Sequence, residues 1–265
     1  MKLHRIALPA LNLLALVIAW ELAVRIFRVP EFVLPAPTAI LATMVKHAPA
    51  LWRNSLFTLY ESVAGFLLSV LIGVPLAIAI VWSAYLRNTL YPILLLFQSI
   101  PKTAIAPLII LWLGYGDLSK IVIAFLVAFF PVVVDTAMGL MSADGDALDL
   151  VRSLRSTRWQ EFVHIRMPHA LPAFFSGAKV AITLAVIGAV IGEFVGASNG
   201  LGYLILLSTS SLQTDLVFAC LIILAAQGIM LFYLIESIEW LVLPWNRSSH
   251  AQMAEPAFNA AGRGG

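Results

Sequence analysis

Long apolar segments recur along this sequence, and their length constrains the possible folds more than any other feature. A transmembrane helix needs about 20 predominantly apolar residues to cross the hydrocarbon core of a bilayer. The chain has 265 residues, 61% hydrophobic and 11% charged, so several such segments leave no length for a large soluble domain. We therefore expect an all-α, polytopic membrane protein with about six transmembrane helices. The predicted spans cover residues 6–27, 55–82, 90–114, 121–141, 173–195 and 216–243.

Composition and missing motifs exclude several functions. The net charge of +2 is too small to indicate a nucleic-acid partner. The single cysteine, Cys220, lies inside an apolar segment, which excludes a disulfide framework and a thiolate metal cluster. No lysine follows a glycine, so the phosphate-binding pattern GxxxxGK[ST] is absent, as is the metalloprotease pattern HExxH. We expect no metal and no cofactor, and the energy for any transport must come from a partner or an ion gradient.

The polar segment from Asp146 to Pro172 separates the fourth and fifth predicted spans and must lie outside the lipid. Its apolar residues recur at three-to-four spacing, which predicts two short amphipathic helices with a charged opposite face. Four arginines belong to this segment: Arg152, Arg155, Arg158 and Arg166. An ordered helix in an aqueous loop of a membrane protein indicates a docking surface for a partner.

Three prolines interrupt the third predicted span around Gln98 and Lys102. Proline frees backbone carbonyls, and broken helices at membrane depth are tolerated only where they face protein or a water-filled cavity. We therefore predict a solute pathway lined by Gln98 and Lys102, with Glu193 at an outer gate. Two roles stay open for Lys102: it presents a positive charge to an anionic solute, or it pairs with Asp135 or Glu193 and holds helices together.

Glycines recur every four residues along and beyond the fifth span, at Gly188, Gly192, Gly196 and Gly200. Such a row lines one helix face so that another backbone can approach closely. The end of the row also fits the serine-hydrolase pattern GxSxG, with Ser198 as nucleophile. A nucleophile needs a base within hydrogen-bond reach, and the fifth and sixth spans contain no histidine. The spacing therefore favours helix packing, and no catalytic residue is assigned.

Lysine and arginine are enriched in cytoplasmic loops, which predicts the orientation of the chain. With the N-terminus inside, nine of these residues lie on the inner side and five, including Lys120, on the outer side. Both termini and the loop at 146–172 are therefore expected to be cytoplasmic. Residues 1–245 form one transmembrane domain, and the polar tail at 246–265 is predicted to be disordered.

The loop at 146–172 also resembles the cytoplasmic loop of binding-protein-dependent ABC importer permeases. The signature of that loop is EAA, three residues, G, nine residues, I, two residues and P. Here Asp149-Leu150-Val151 stands at EAA, Arg155 replaces the glycine, and Ile165 and Pro168 keep the final spacing. Arg155 either adopts the tight-turn conformation of that glycine, at a cost of about 1 kcal/mol, or lets the helix continue further. The resemblance implies docking on an ATPase through Asp149, Leu150, Val151, Leu154, Arg155, Ser156, Trp159 and Pro168.

Other segments resemble one branch of that family, the permeases for nitrate, sulfonates, taurine and pyrimidine precursors of thiamine. These segments are residues 34–40, 99–121, 129–139 and 192–205. The resemblance implies the type I importer permease (MetI-like) fold in a bacterial inner membrane, and a small solute such as a sulfonate, taurine or nitrate. It further implies two cytoplasmic ABC ATPase subunits that bind ATP and Mg, an external solute-binding protein, and a second permease copy, most simply in a homodimer.

Two other interpretations stay open at this point. A secondary transporter driven by an ion gradient explains the interrupted third span and the charged residues inside spans, but it gives no role to the amphipathic loop. An intramembrane serine protease built around Ser198 is the more remote alternative.

Overall fold

The computed structural model describes residues 2–196 and 198–244. Every regular element in that part of the chain is a helix, as predicted. The helices are α1 (Lys2–Ile26), α2 (Pro37–Lys46), α3 (Ala48–Trp82), α4 (Ala84–Gln98), α5 (Lys102–Leu113), α6 (Asp117–Met141), α7 (Gly145–Ser153), α8 (Arg158–Glu161), α9 (Met167–Gly196), α10 (Leu201–Ser210) and α11 (Thr214–Val242). A π-helical turn, Phe162–Arg166, joins α8 to α9. The tail at 246–265, predicted to be disordered, lies outside the described residues.

Four continuous helical segments are long and apolar enough to cross a bilayer, and they include α3, α6, α9 and α11. The pair α4 and α5 is a fifth candidate span, broken at residues 99–101 and bent by 98°. α1 covers the first predicted span, and most of its apolar side chains from Leu11 to Ile26 are exposed on the outside of the bundle. These elements agree with the predicted all-helical architecture of about six spans.

The centre of the bundle is α6, which packs against both α3 and α9. Glycines allow this close approach on either side. A Cβ atom on Gly188 of α9 would lie 2.7 Å from the Cα of Ala124, and one on Gly65 of α3 would lie 2.5 Å from the Ala124 Cβ. A Cβ on Gly192 would lie 3.0 Å from the Cα of Lys120. The glycine row therefore places the α9 and α6 backbones in direct contact.

The last two glycines of the row have different surroundings. A Cβ on Gly196 would meet the side chains of Ile110 and Tyr115, each at 2.9 Å. Gly200 lies outside α9, at the N-cap of α10, with a φ of +112° that side chains rarely adopt. Its contribution is a turn between helices, and only the first three glycines line a helix face.

The turn between the third and fourth spans is shorter than predicted, which corrects the position of Lys120. The turn ends at Gly116, where Gly114 and Gly116 both have positive φ values, and α6 begins at Asp117. Lys120 therefore lies inside a helix and is 3% exposed, whereas the charge count placed it in an outer loop. Its burial is possible because α3 supplies a partner carboxylate, Glu61.

Candidate functional site

The loop predicted to dock a partner is ordered, and its first helix ends where the signature glycine would stand. α7 runs from Gly145 to Ser153. The Arg155 N–H donates to the Arg152 carbonyl at 2.9 Å and the Ser156 N–H to the Val151 carbonyl at 3.3 Å, the pattern of a Schellman C-cap. Arg155 has a φ of +59°, so it adopts the left-handed conformation at a cost of about 1–2 kcal/mol, and the helix does not continue.

The second loop helix starts with a capping box. The Thr157 hydroxyl accepts a hydrogen bond from the Gln160 N–H at 3.3 Å, and the Gln160 side chain accepts one from the Thr157 N–H at 2.8 Å. Pro168 is the second residue of α9 and directly follows the π-helical turn Phe162–Arg166. Local signals in the sequence thus define a helix, a tight turn and a second helix that leads into the fifth span.

A charged network around Glu161 fixes this loop to the bundle. Arg152 of α7 donates to both Glu161 carboxylate oxygens, at 3.1 and 3.2 Å. Arg166 donates to Glu161 at 3.0 Å and to the Leu140 carbonyl of α6 at 3.2 Å. Glu161 lies in the loop, before the predicted span at 173–195. Burial opposes ionisation there, but the hydrogen bonds from both arginines outweigh it and lower the pKa of the Glu161 carboxyl. Glu161 therefore connects α7 to the π-helical turn before α9, and Arg166 extends the network to the end of α6.

The residues predicted to dock a partner differ in exposure, and some are exposed whereas others are half-buried. Leu150 and Leu154 are 63% and 75% exposed, and Asp149 is also exposed, 3.3 Å from Arg152. Trp159 is 61% exposed, but its ring lies 6.0 Å from that of Trp82 and 5.8 Å from that of Phe162. The half-buried members are Val151, Ser156 and Pro168. The two leucines are thus presented to solvent, whereas Trp159 also packs against the end of α3.

The predicted solute pathway lies at the break between α4 and α5. Gln98 is the last residue of α4 and Lys102 the first of α5, and the Lys102 Nζ donates to the Gln98 carbonyl at 3.0 Å. The same ammonium group lies 5.0 Å from the centroid of the Phe130 ring. Within the described chain it forms no ion pair with Asp135 or Glu193, so the structural pairing considered for Lys102 is not formed.

Glu193, which we placed at an outer gate, is buried in a polar network. Its side chain is 1% exposed and accepts hydrogen bonds from the Thr58 hydroxyl at 2.7 Å and the Gly202 N–H at 2.5 Å. Gly202 is in the first turn of α10, so the carboxylate caps that helix and interacts favourably with its dipole. In this structure Glu193 positions α10, and its carboxylate is already engaged by protein donors.

Beside it, Glu61 of α3 and Lys120 of α6 form an ion pair that sequence reasoning missed. Glu61 is fully buried and Lys120 is also within 3.1 Å of Asp117. A signal was present in the sequence, because small and polar residues recur at three-to-four spacing in the second span and form its buried face. They include Ser55, Thr58, Glu61, Ser62, Gly65 and Ser69.

The histidine of α9 is too far from Ser198 to act as its base. The side chain of Asn199 donates to the Ser198 hydroxyl at 3.2 Å. The closest histidine along α9, His169, lies in the first turn of that 30-residue helix, whereas Ser198 follows its last turn. At 1.5 Å per residue the two are separated by roughly 40 Å, far beyond hydrogen-bond reach.

Comparison with known proteins gives the class of this chain. The profile of the family described as "binding-protein-dependent transport system inner membrane component" matches residues 69–240. This match covers more than half of the chain, so the chain belongs to that family. It is therefore a multi-pass membrane subunit of a transport system and not an enzyme.

Individual relatives confirm the predicted branch. A probable ABC transporter permease protein of Haemophilus influenzae is 38% identical over 90% of this chain and 96% of its own length. The formylaminopyrimidine transport permease ThiX of Halalkalibacterium halodurans is 35% identical over the same shares. A putative aliphatic sulfonates transport permease, SsuC of Bacillus subtilis, is 31% identical over 91% of this chain and 88% of its own.

A solved structure confirms the fold. A chain of the MetNI methionine ABC transporter, in an inward-facing conformation, matches with a TM-score of 0.66 and 19% sequence identity. The match covers 74% of this chain and 98% of that chain. The predicted type I importer permease architecture is therefore correct.

Proposed function

We propose that this chain is the permease of an ATP-driven importer and that the loop at 146–172 transmits the motion of a separate ATPase to the spans. The main support is the structure of the loop. Its ordered helices expose Leu150 and Leu154, and Glu161 connects these helices to the bundle. A secondary transporter has no need of such a surface.

The exposed leucines suit a hydrophobic groove on a partner, where burial of each stabilises the complex by about 1.5–3 kcal/mol. A force on α7 acts on Glu161 through Arg152, and from there on Arg166 and the Leu140 carbonyl of α6. The same contacts then connect the docking helix to two central spans. Closure of the ATPase would rock these spans between inward-open and outward-open states, provided that the contacts differ between the states.

The proposed assembly contains two cytoplasmic ATPase subunits, a second permease copy and an external solute-binding protein. Both termini and the loop face the cytoplasm in this arrangement, in agreement with the charge count. ATP and Mg bind to the ATPase subunits, and the permease itself requires no cofactor. Support for partners comes from the family, whose description names binding-protein-dependent transport.

The proposed solute is a small anion such as a sulfonate, taurine or nitrate. Lys102 supports an anion, because its ammonium group lies at the α4–α5 break without a described carboxylate as partner. SsuC is named for aliphatic sulfonates, whereas ThiX is named for formylaminopyrimidine, which makes a small nitrogen heterocycle the second candidate.

Reconstitution tests the energy source. The chain is purified with the ATPase subunit that it retains in detergent, placed in vesicles, and assayed for uptake of solute delivered by its binding protein. We expect uptake only with ATP and only when the ATPase subunit is present. Uptake by the chain alone under an imposed ion gradient would identify a secondary transporter and contradict the proposal.

Substitution of Lys102 tests the solute class. Lys102→Met removes the charge from the pathway, whereas Lys102→Arg retains it and is the matched control. For an anionic solute we expect the apparent KM for uptake to rise in the first variant and to change little in the second. If both variants assemble normally and take up a sulfonate with the same apparent KM, Lys102 has a different role. The nitrogen heterocycle then becomes the favoured solute.

A further inference from the structure

A cavity of about 570 Å³ lies between the end of α3 and the loop, and the proposed coupling path, which includes Arg152, Glu161 and Arg166, gives no role to Arg158 in its wall. Its lining contains three arginines, one carboxylate and three aromatic rings: Arg152, Arg158, Arg166, Glu161, Trp82, Trp159 and Phe162. Neither Leu150 nor Leu154 lines this cavity, so it is separate from the two leucines that we assign to the ATPase.

The charges of the cavity are not balanced. Three arginines and one carboxylate give a formal net charge of +2. Arg152 and Arg166 are bonded to Glu161, whereas the guanidinium group of Arg158 forms no hydrogen bond or ion pair with any residue that the structure describes. A guanidinium group carries five N–H donors in a planar fork that matches the oxygens of a phosphate group. The free group therefore selects an anion, and phosphate fits its geometry.

The aromatic wall places the cavity at the membrane surface. Trp82 is the last residue of α3 and is 54% exposed, with its ring centroid 6.0 Å from that of Trp159 and 5.3 Å from that of Phe162. Tryptophan is enriched where a span meets the headgroup layer of a bilayer. The basic wall and the indole rings thus lie at the depth of lipid phosphates.

An apolar strip on α3 leads from the cavity towards the middle of the span. Leu71, Pro75 and Trp82 are exposed on one helix face, and Ile78 and Ala79, which lie between Pro75 and Trp82, are half-buried. A soluble phosphate compound makes no use of such a strip, whereas the acyl chain of a lipid would cover it. The combination of features therefore favours a lipid over a free phosphate.

We propose that this cavity binds the headgroup phosphate of an anionic phospholipid, held by Arg158, with an acyl chain along the exposed face of α3. Basic pockets between spans on the cytoplasmic side are known to take anionic headgroups. The bound lipid contacts both the end of α3 and the loop. It therefore holds the loop against the bundle in addition to the two contacts of Glu161, with Arg152 and with Arg166. The proposal does not depend on the identity of the solute.

Native mass spectrometry of the assembled transporter, permease together with its ATPase subunits, tests this site. The complex is titrated with phosphatidylglycerol or with phosphatidylcholine. We expect retention of the anionic lipid, and an affinity about fivefold lower in Arg158→Gln, the factor that corresponds to about 1 kcal/mol per arginine near an anionic surface. Arg87→Gln is the control, because Arg87 is exposed in α4 and does not line the cavity.

Three results would overturn the lipid site. One is an equal affinity for phosphatidylglycerol in Arg158→Gln and in the wild type. Another is displacement of the lipid by inorganic phosphate at the same concentration, which would assign the cavity to a soluble ligand. The last is loss of the lipid when the ATPase subunits assemble, which would make the cavity part of the protein interface.

Discussion

Two charged networks lie near opposite ends of α9, and they differ in their access to water. Near its start, the side chain of Glu161 is only 11% exposed, but it binds Arg152 and Arg166, whose side chains are 54% and 20% exposed. Near its end, Glu193 and the pair of Glu61 and Lys120 are at most 3% exposed. Breaking a buried pair leaves an uncompensated charge, whereas a solvated pair can exchange its partner for water at small cost. The buried network therefore fixes the helices, and the solvated one can rearrange as the loop moves.

The largest effect is expected from breaking the buried pair. Lys120→Met leaves Glu61 without its partner inside the bundle, and we expect a loss of about 3–5 kcal/mol in stability. The measurement is thermal unfolding of the purified chain in detergent. The double variant Glu61→Gln with Lys120→Met removes both charges and should recover part of the loss. A single variant as stable as the wild type would refute the structural role of this pair.

The next effect concerns the contact between α9 and α6. Gly188→Ala places a Cβ atom 2.7 Å from the Ala124 Cα, and overpacking of this kind costs about 1–3 kcal/mol. Gly228→Ala is the matched control, since Gly228 lies in α11 with no atom within 4 Å of a Cβ built on it. We expect a lower unfolding temperature for the first variant only. Similar unfolding temperatures for both would show that the backbones are not in close contact.

A smaller effect is expected at the solvated network. Glu161→Gln removes the charge that attracts both arginines, and because water replaces part of the interaction we expect a loss of about 1 kcal/mol. Amide hydrogen exchange should become faster in α7 and α8 and stay unchanged in α3. The pKa of Glu161 is lower in the folded state than in the unfolded state. Its contribution to the free energy of unfolding is therefore complete above the ordinary carboxyl pKa, and it is lost as the pH falls through the folded-state pKa. Protection of α7 that is equal in variant and wild type would count against the network.

The smallest effect is a gain in stability. Arg155→Gly relieves the left-handed conformation at the end of α7, and we expect a stabilisation of up to about 1 kcal/mol. Arg155→Ala removes the same charge but keeps the cost of a Cβ atom, so it should show no gain. Equal stability of the glycine and alanine variants would mean that the backbone strain is negligible.

The features that the sequence predicted are those written in local patterns. The length of the apolar segments located the spans, and prolines located the break between α4 and α5. Apolar residues at three-to-four spacing predicted the two loop helices, and the glycine row predicted the close backbone contact that Gly188 and Gly192 make with α6.

The features that it missed depend on residues far apart in the chain. Lys120 is buried because Glu61, 59 positions earlier, lies opposite it. The role of Glu193 at an outer gate stays a prediction, but nothing local reveals that Thr58 and the first turn of α10 supply its donors. Trp159 likewise packs against Trp82 of a distant helix. Pairing of this kind follows from helix packing, which a linear pattern does not encode.

The coupling of the loop to a separate ATPase is tested most directly with Leu154→Asp. The variant and a control, Leu212→Asp in the exposed loop between α10 and α11, are reconstituted with the ATPase subunit, and ATP hydrolysis stimulated by loaded binding protein is measured. We expect stimulation to be lost in Leu154→Asp, whose charge would enter an apolar groove, and to be retained in the control. Normal stimulation in Leu154→Asp with normal assembly would contradict the assignment of this loop.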